Sequence, residues 1–262
     1  MAKDILKEII ARKRERLAAV KLQFPVEELK AKAKAQAPAR PFIEAINKPR
    51  QISLIAEIKK ASPSSGVIRE DFNHLEIARA YQETGAQAIS VLTEEDYFQG
   101  SLAYINEVKN IAGLPVLRKD FIIDEYQVYE SRFYGADAIL LIADLLTQEE
   151  ISQFITGAAE LGMDCLVEVH NEKELKKVLK LKGVALIGIN NRDLHTLEVD
   201  PKTTEKLFTL IPKDKVVVVE SGLKAYQDIL FLKILGVNAV LIGTAFMQAP
   251  DIGAKVGELM GW

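Results

Sequence analysis

The chain has 262 residues, of which 48% are hydrophobic and 27% charged, and it carries a formal net charge of −3. This length and composition let most of the apolar surface be buried, which excludes a disordered chain and fits one large α/β domain or two small ones. No run approaches the roughly 20 apolar residues of a membrane span. The single cysteine, Cys165, excludes disulfides and cysteine-rich metal sites, so we expect a cytoplasmic protein.

Residues 1–50 are basic, with about twice as many lysines and arginines as acidic residues. Ile5 and the stretch LKEIIARKRERLAAV that follows it place Ile5, Leu6 and Ile9 at helical spacing, which predicts a helix with one solvated face. It lacks the aromatics and the dense basic run of a nucleic-acid arm, and also the apolar core of a signal peptide. With FPVEELKAKAKA and ARPFIEAINKP, it predicts an N-terminal helical extension before the first strand.

After residue 50, β-rich runs alternate with helical patterns. The predicted strands are ISLIAEIKK, AISVLTE, PVLRKDF, AILLIA, DCLVEVH, LIGINNRD, KVVVVESG and AVLIGTAFM. Helical stretches separate them, from HLEIARAYQETG to AYQDILFLKILG, and APDIGAKVGELM follows the last strand. The strands are rich in Val and Ile without strict polar alternation, which is typical of parallel strands covered by helices on their outer face.

A faint repeat favours a closed barrel. Four glycines that separate a helix from a strand recur at intervals of 50, 48 and 53 residues, namely Gly85, Gly135, Gly183 and Gly236. Glycine at such a position predicts a left-handed helix stop, and each interval holds two βα units. Eight units over about 210 residues predict a (β/α)8 TIM barrel. We therefore expect residues 1–262 to form a single barrel domain with residues 1–50 as its extension; an open doubly wound sheet is the alternative.

Charged side chains stand at the predicted carboxyl ends of the strands, where barrel enzymes place their catalytic groups. Glu57 and Lys59 share a face because the strand period is two, and Lys60 points the other way. Any one of these charges alone is best explained as a side chain leaving the core. Together they would crowd one mouth at a cost in stability unless they pair or bind something. The set comprises Glu57, Lys59, Lys119, Glu168, Asn190, Arg192 and Glu220. It predicts a polar pocket for an anionic substrate, with groups able to move protons near neutral pH.

The last two strands end in glycines that expose backbone N–H groups. Gly222 follows the seventh strand and Gly243 the eighth, and the segment after Gly243 predicts a short helix whose amino end attracts an anion. A phosphate site in these two loops recurs among barrels, although glycine also serves tight turns. No Walker loop or GxGxxG is present, so we expect no nucleotide cofactor. His74, His170 and His195 have no partners at metal-ligand spacing, so we expect no metal.

The motifs resemble those of the indole-3-glycerol phosphate synthase family over nearly the whole chain. The matching stretches are EIKKASPS, ISVLTE with YFQGS, LRKDFI, LVEVH, IGINNRDL, ESG and IGTAFM. KKASPS, RKDFI and INNRDL are the most specific, since related barrels share only the phosphate glycines. Enzymes of this family convert a carboxyphenylamino-deoxyribulose phosphate to indole glycerol phosphate, with loss of carbon dioxide and water, in tryptophan biosynthesis.

The resemblance implies roles for individual residues. Lys119 would be the general acid that protonates the substrate ketone oxygen, Glu168 the base that later removes a proton, and Lys59 the anchor of the substrate carboxylate. Supporting catalytic positions would be Glu57, Asn190, Ser221, Arg192 and Glu220. Phe98, Phe121 and Leu140 would line the ring pocket, Gly222, Gly243 and Thr244 the phosphate cradle, and Ser62 and Pro63 the first mouth loop.

Other functions stay open on the residues alone. One alternative is a sugar-phosphate isomerase or a Schiff-base aldolase that uses Lys59 or Lys119 as nucleophile. Another is a non-catalytic barrel that binds a phosphorylated metabolite or a partner protein. We expect a small phosphorylated substrate, no nucleic acid and no membrane as partners, and a monomer with a weak dimer as the alternative.

Overall fold

The computed structural model describes residues 5–262 and contains a closed barrel of parallel strands. Numbered in chain order, the barrel strands are β1 (Ser53–Ile58), β4 (Ala88–Leu92), β5 (Val116–Lys119), β6 (Ala138–Ile142), β7 (Asp164–Val169), β8 (Leu186–Asn190), β9 (Val216–Glu220) and β10 (Ala239–Ile242). A hairpin of β2 (Ala61–Ser62) and β3 (Gly66–Val67) follows β1. The predicted (β/α)8 fold is thereby confirmed, and the open sheet is excluded because β1 pairs with both β10 and β4.

Helices precede the barrel and then alternate with its strands. The extension holds α1 (Ile5–Gln23), α2 (Val26–Lys34) and α3 (Phe42–Ile46). The outer layer is α4 (His74–Glu83), α5 (Ala103–Ile111), α6 (Glu125–Phe133), α7 (Gln148–Glu160), α8 (Glu172–Val178), α9 (Lys202–Phe208), α10 (Tyr226–Leu235), α11 (Thr244–Met247) and α12 (Ile252–Met260). Within residues 5–262, none of these helices is both long and apolar enough to cross a bilayer.

The barrel strands are largely apolar because both of their faces are covered. One hydrophobic cluster fills the space between strands and outer helices, and a second fills the barrel interior with residues such as Ile55, Leu117 and Val218. Strand side chains alternate between these two clusters, as Ile187 and Leu186 do on β8. A charged residue on the inner face therefore has to lie near a strand end, where the interior opens to solvent.

The extension runs along the barrel from its mouth to its opposite end. Leu6 and Ile9 on α1 pack against the interior cluster at the mouth, and α2 packs on α6. At the other end, Ile43 N donates to the carboxylate of Asp164 at the start of β7, over 2.9 Å. The guanidinium of Arg40 donates to backbone carbonyls just before β5. Three points of attachment thus hold residues 5–46 against the barrel.

Two local features differ from the sequence expectation. The strand predicted to run through Lys60 ends at Ile58, and the chain then forms the β2–β3 hairpin over the mouth. Gly236 caps α10 in the left-handed conformation (φ 102°), as predicted for a helix stop. Gly183 is also left-handed (φ 83°), but α8 ends earlier, at Val178, so this glycine turns a loop rather than a helix end.

Candidate active site

A cavity of about 440 Å³ opens at the carboxyl ends of the barrel strands. All the residues singled out from the sequence line it: Glu57, Lys59, Ser62, Pro63, Phe98, Lys119, Phe121, Leu140, Glu168, Asn190, Arg192, Glu220, Ser221, Gly222, Gly243 and Thr244. These residues lie as many as 187 positions apart (244 − 57), and barrel closure brings them to one rim. Their shared location is therefore a property of the fold; the role of each one stays a prediction.

The charged floor of the cavity comes from alternate barrel strands. Glu57 lies on β1, Lys119 on β5, Glu168 on β7 and Glu220 on β9, which are the first, third, fifth and seventh strands of the barrel along the chain. Side chains from alternate strands share one layer of a barrel interior, since strand tilt staggers neighbouring strands. The spacing of these residues in the sequence thus reflects one layer of charge at the top of the core.

Lys119 is the centre of this layer. Its Nζ lies 2.9 Å from Glu168 Oε2 and 2.7 Å from Glu220 Oε2. Both carboxylates are almost fully buried, with 1% and 2% of their side chains exposed. Room for Glu220 depends on Gly188, because a Cβ there would lie 2.8 Å from Glu220 Oε1. Gly188 was not predicted from the sequence, since a glycine within a strand carries no functional group of its own.

The pKa values of this cluster follow from one cation shared by two carboxylates. Burial alone would lower the pKa of Lys119, but the carboxylates of Glu168, Glu220 and Glu57 outweigh it and raise that pKa. Burial likewise opposes ionisation of Glu168, yet Lys119 and His170 together lower its pKa. Burial and the nearby Glu168 raise the pKa of Glu220 to about 7. Lys119 and Glu168 are therefore held charged, whereas Glu220 exchanges a proton near neutrality.

A second ion pair lies beside this cluster. Lys59 Nζ is 2.6 Å from Glu57 Oε1, which agrees with the shared face predicted for these two side chains. The hydroxyl of Tyr81 donates to the backbone carbonyl of Glu57 over 2.9 Å. A Cβ at position 243 would collide with the Glu57 carboxylate, so Gly243 has to be glycine to admit that side chain. The glycine predicted to hold phosphate thus also makes room for a charged residue.

An apolar wall faces the charged floor. The rings of Phe98 and Phe121 are tilted at 47° with centroids 6.1 Å apart, and Leu140 lies with them in the interior cluster. Leu6 and Ile9 of α1 complete this wall from the extension. The sequence predicted α1 as a helix with one solvated face, but it did not predict that the apolar side chains of α1 line the cavity.

The loops after β8 and β9 form the rest of the rim. Asn190 Oδ1 accepts the backbone N–H of Arg192 over 3.0 Å, and the Arg192 guanidinium donates to the carbonyl of Leu197 over 2.8 Å. Arg192 therefore braces its own loop while it lines the cavity. The Asn191 side chain donates to the carbonyl of Ser221 over 3.1 Å and so joins the two loops. Asn191 was missed because the adjacent Asn190 drew the functional interpretation.

Ser221 and Gly222 form a left-handed turn, with φ values of 66° and 82°. A Cβ on Gly222 would lie 2.8 Å from Val199 Cγ1, so both the backbone conformation and the space exclude a larger residue. Gly243 and Thr244 line the same cavity, and α11 begins at Thr244, as the sequence predicted for a short helix.

Sequence comparisons with known proteins identify one family. A sequence model of the indole-3-glycerol phosphate synthase family matches residues 6–259. A protein of that name from Acetivibrio thermocellus is 52% identical over 256 residues, covering 97% of this chain and 98% of the relative. Another, from Neisseria gonorrhoeae, is 49% identical and covers 98% of this chain and 99% of the relative.

Solved structures resemble the fold at much lower identity. 3-Hexulose-6-phosphate synthase from Salmonella typhimurium superposes with a TM-score of 0.64 at 16% identity, covering 80% of this chain and 97% of that one. A variant of the tryptophan synthase α-subunit from Pyrococcus furiosus gives a TM-score of 0.62 at 18% identity, with 80% and 98% coverage. At these identities the likeness concerns the barrel fold alone.

Proposed function

The chain belongs to the indole-3-glycerol phosphate synthase family, and we infer that it converts 1-(2-carboxyphenylamino)-1-deoxy-D-ribulose 5-phosphate to indole-3-glycerol phosphate. The reaction closes a ring and releases carbon dioxide and water, which makes the enzyme a carboxy-lyase of tryptophan biosynthesis. The observation that carries this inference is a buried ammonium, Lys119, held between two carboxylates beside an apolar slot. An aromatic substrate that develops charge on an oxygen needs both features together.

Ring closure is the step in which Lys119 acts. The ring carbon that bears the carboxylate attacks the ketone carbon, a C–C bond forms, and the ketone oxygen takes up a proton. Because its pKa is raised, Lys119 is protonated at neutral pH and serves as the acid. A preorganised ammonium in a water-poor site stabilises the developing oxyanion most effectively. Phe98 and Phe121 hold the aromatic ring on the opposite wall.

Decarboxylation and dehydration follow without a cofactor. The C–CO₂⁻ bond breaks and its electron pair restores the aromatic ring. Loss of the new hydroxyl as water then requires a proton for the leaving oxygen and a base for the adjacent carbon. Glu168, whose pKa is lowered by Lys119 and His170 against the effect of burial, is ionised and serves as that base. Lys59 anchors the substrate carboxylate from its position beside Glu57.

The phosphate of the substrate is assigned to the loops after β9 and β10. Gly222, Gly243 and Thr244 line this side of the cavity, and neither glycine position has space for a side chain. Backbone N–H groups there can approach phosphate oxygens without obstruction. Ser62 and Pro63, in the turn of the β2–β3 hairpin, stand at the entrance.

A Schiff-base aldolase is the main rival within this fold, and the charge state of Lys119 weighs against it. A nucleophilic lysine has to lose its proton, which burial in an apolar pocket favours. The carboxylates around Lys119 instead raise its pKa and so keep it an ammonium. Borohydride in the presence of a carbonyl substrate should therefore leave Lys119 unmodified.

The direct test is to supply the carboxyphenylamino-deoxyribulose phosphate and follow indole fluorescence. We expect fluorescence to rise with release of one carbon dioxide per turnover. Unchanged substrate in the presence of folded protein would contradict the assignment. The predicted cytoplasmic location and the predicted monomer remain predictions, and fractionation and light scattering would test them.

A further inference from the structure

Lys119 alone does not determine which of its two carboxylates is the base. Glu168 and Glu220 approach it at 2.9 and 2.7 Å, both are buried, and each offers one oxygen to the ammonium. Two carboxylates around one cation cannot both be fully compensated, so one of them holds a proton more readily. The difference between them has to come from what contacts the second oxygen of each.

The second oxygens have different surroundings. Glu168 Oε1 faces His170, whose Nε2 lies 3.1 Å away, within ion-pair distance, although Nε2 forms no hydrogen bond within residues 5–262. Glu220 Oε1 is buried and has no hydrogen-bond partner within residues 5–262. His170 itself has 8% of its side chain exposed and lies outside the lining of the cavity. It therefore acts on substrate only through Glu168.

His170 is held in place from behind by Glu174. The His170 Nδ1 atom lies 3.1 Å from Glu174 Oε2, and the same oxygen accepts the backbone N–H of His170 over 2.8 Å. The other oxygen of Glu174 accepts from the Asn171 side chain, and Asn171 in turn caps α8. The end of β7 and the first turn of α8 thus form one rigid unit, whose imidazole points at the back of Glu168.

We propose that His170, oriented by Glu174, is a positioning residue that places a second cation on Glu168 and so makes Glu168, rather than Glu220, the ionised base of the pair. This rests on the proposed function only in calling Glu168 a base. The charge arrangement itself is Glu174–His170–Glu168–Lys119–Glu220, in which the inner carboxylate has a cation on each side and the outer one has a cation on one side only.

Electrostatics within the cluster agree with this order. Burial would lower the pKa of His170, but Glu168 and Glu174 raise it to about 10, so the ring carries a charge at neutral pH. The ionisable groups that face His170 are these two carboxylates, from β7 and α8. Lys119 on β5 and Glu220 on β9 contact the far side of Glu168. Without the imidazolium, Glu168 keeps one cation shared with Glu220, and its proton affinity rises.

The first experiment needs no substrate. In protein labelled with ¹⁵N at histidine, spectra recorded from pH 6 to 9 report whether each ring carries one proton or two. We expect His170 to stay doubly protonated at pH 8.5, whereas an unperturbed histidine titrates near pH 6.5. A neutral His170 at pH 7.5 would overturn the proposal. This readout is independent of activity, so it stands even if the assigned substrate is wrong.

The second experiment uses His170→Gln, which keeps a polar donor of similar reach and removes the charge. We expect the proton that Glu220 holds with a pKa of about 7 to move to Glu168 in this variant, so that an acid limb appears near pH 7, where kcat falls about tenfold at pH 6 and recovers by pH 9. KM should change less than about twofold, because His170 lies outside the cavity lining. A uniform loss of kcat at every pH would indicate a merely structural role and would overturn the proposal.

Two further variants complete this test. Glu174→Gln should shift the acid limb in the same direction by a smaller amount, because it leaves the histidine in place but less firmly charged. His74→Asn is the matched control, since it removes another histidine–glutamate pair, His74 with Glu107, on the outer helices. Its pH profile should match that of the wild type. A His170→Gln profile that coincides with the control would also refute the proposal.

Discussion

Two buried ionic clusters lie back to back on β5, and they are built differently. The inner cluster faces the cavity through Lys119. The outer cluster uses the residues on either side of it, Arg118 and Asp120, which point away from the barrel axis toward Glu130 on α6 and Lys13 on α1. Strand alternation separates two sets of charges that are adjacent in sequence.

The outer cluster is complete. Arg118 lies 2.9 Å from both Asp120 Oδ2 and Glu130 Oε2, and Lys13 lies 2.9 Å from Asp120 Oδ1. Asp120 also accepts from the hydroxyl of Thr93 over 2.6 Å. Burial would raise the pKa of Asp120, but Lys13 and Arg118 lower it, so this carboxylate stays ionised. The two cations balance the two buried carboxylates, Asp120 and Glu130, as a stable buried network requires, and Lys13 also pairs with the more exposed Glu95 over 3.4 Å.

The inner cluster is left incomplete. Three cations, Lys59, Lys119 and His170, face four carboxylates, Glu57, Glu168, Glu174 and Glu220. Glu220 also keeps one buried oxygen without a hydrogen-bond partner within the described chain. Burial first, and then the carboxylates of Glu168 and Glu57, raise the pKa of Glu220 to about 7 against the effect of Lys119. Because both clusters are buried, burial of charge alone does not identify an active site. An active site is indicated instead by a buried cluster with unbalanced charge and unsatisfied hydrogen bonds, because perturbed groups in a cavity can still bind ligands and exchange protons.

The largest expected effect comes from removing the central cation of the inner cluster. Lys119→Ala should lower kcat by about 10⁴-fold while substrate affinity changes little, because the acid and the oxyanion partner are lost together. Steady-state assays and equilibrium binding of the substrate would measure the two effects. Lys60→Ala is the matched control, since Lys60 lies beyond the end of β1 and outside the cavity lining. Near-normal turnover in the Lys119 variant would remove it as the acid.

Replacing the inner carboxylate that has two cations should have the next largest effect. Glu168→Gln keeps the shape of the side chain but cannot accept a proton, so kcat should fall by about 10³-fold with the fold retained. Circular dichroism would confirm folding, and single-turnover measurements would identify the slowed step. Glu172→Gln, an exposed acid on α8 paired with Lys176, is the control. Full activity of the Glu168 variant would exclude Glu168 from the mechanism.

Breaking the outer cluster should affect stability. Arg118→Met leaves Asp120 and Glu130 without their shared cation, so the free energy of unfolding should fall by about 3 kcal/mol. Urea titrations would measure this change. Arg16→Met, which breaks the more exposed pair with Asp96, should cost less than about 1 kcal/mol. Equal losses in the two variants would contradict the structural role of the outer cluster.

A smaller effect should distinguish the clusters by pH. Because the pKa of Glu220 is raised, its contribution to stability is present below its unfolded pKa of 4.5 and is lost as pH rises through about 7. Glu220→Gln carries no such charge at any pH. The unfolding free energy of the variant minus that of the wild type should therefore be about 2 kcal/mol larger at pH 8 than at pH 5. A difference that is constant with pH would show that Glu220 is not perturbed.

The basic residues of the extension have ion-pair partners that the composition of the chain did not predict. The sequence of the extension predicted a helix with a solvated face. In the structure, Lys13, Arg16 and Lys21 of α1 form ion pairs with Asp120, Asp96 and Asp124 in the loops after β4 and β5. The opposite charges of residues 1–50 and of the barrel therefore meet at the mouth. Composition gives the excess of charge, but it does not indicate which surfaces lie against each other.

Local patterns determined much of this protein. Glycine-bounded apolar runs predicted the barrel strands, and the period of two predicted that Glu57 and Lys59 share a face, because both depend on residues near in sequence. The motifs also predicted which side chains line the cavity. Because these features depend on residues that are close in sequence, one sequence is enough to predict them.

Tertiary structure alone decided which distant groups touch and which of them hold protons. Leu6 reaches the cavity from the extension, and His170 approaches the back of Glu168. Within residues 5–262, one oxygen of Glu220 has no hydrogen-bond partner once the barrel has closed. Electrostatic interactions depend on distance and burial in three dimensions, and neither is encoded in the neighbours along the chain. The sequence therefore specified which chemical groups lie at the rim, whereas the folded structure determined which of them are ionised at neutral pH.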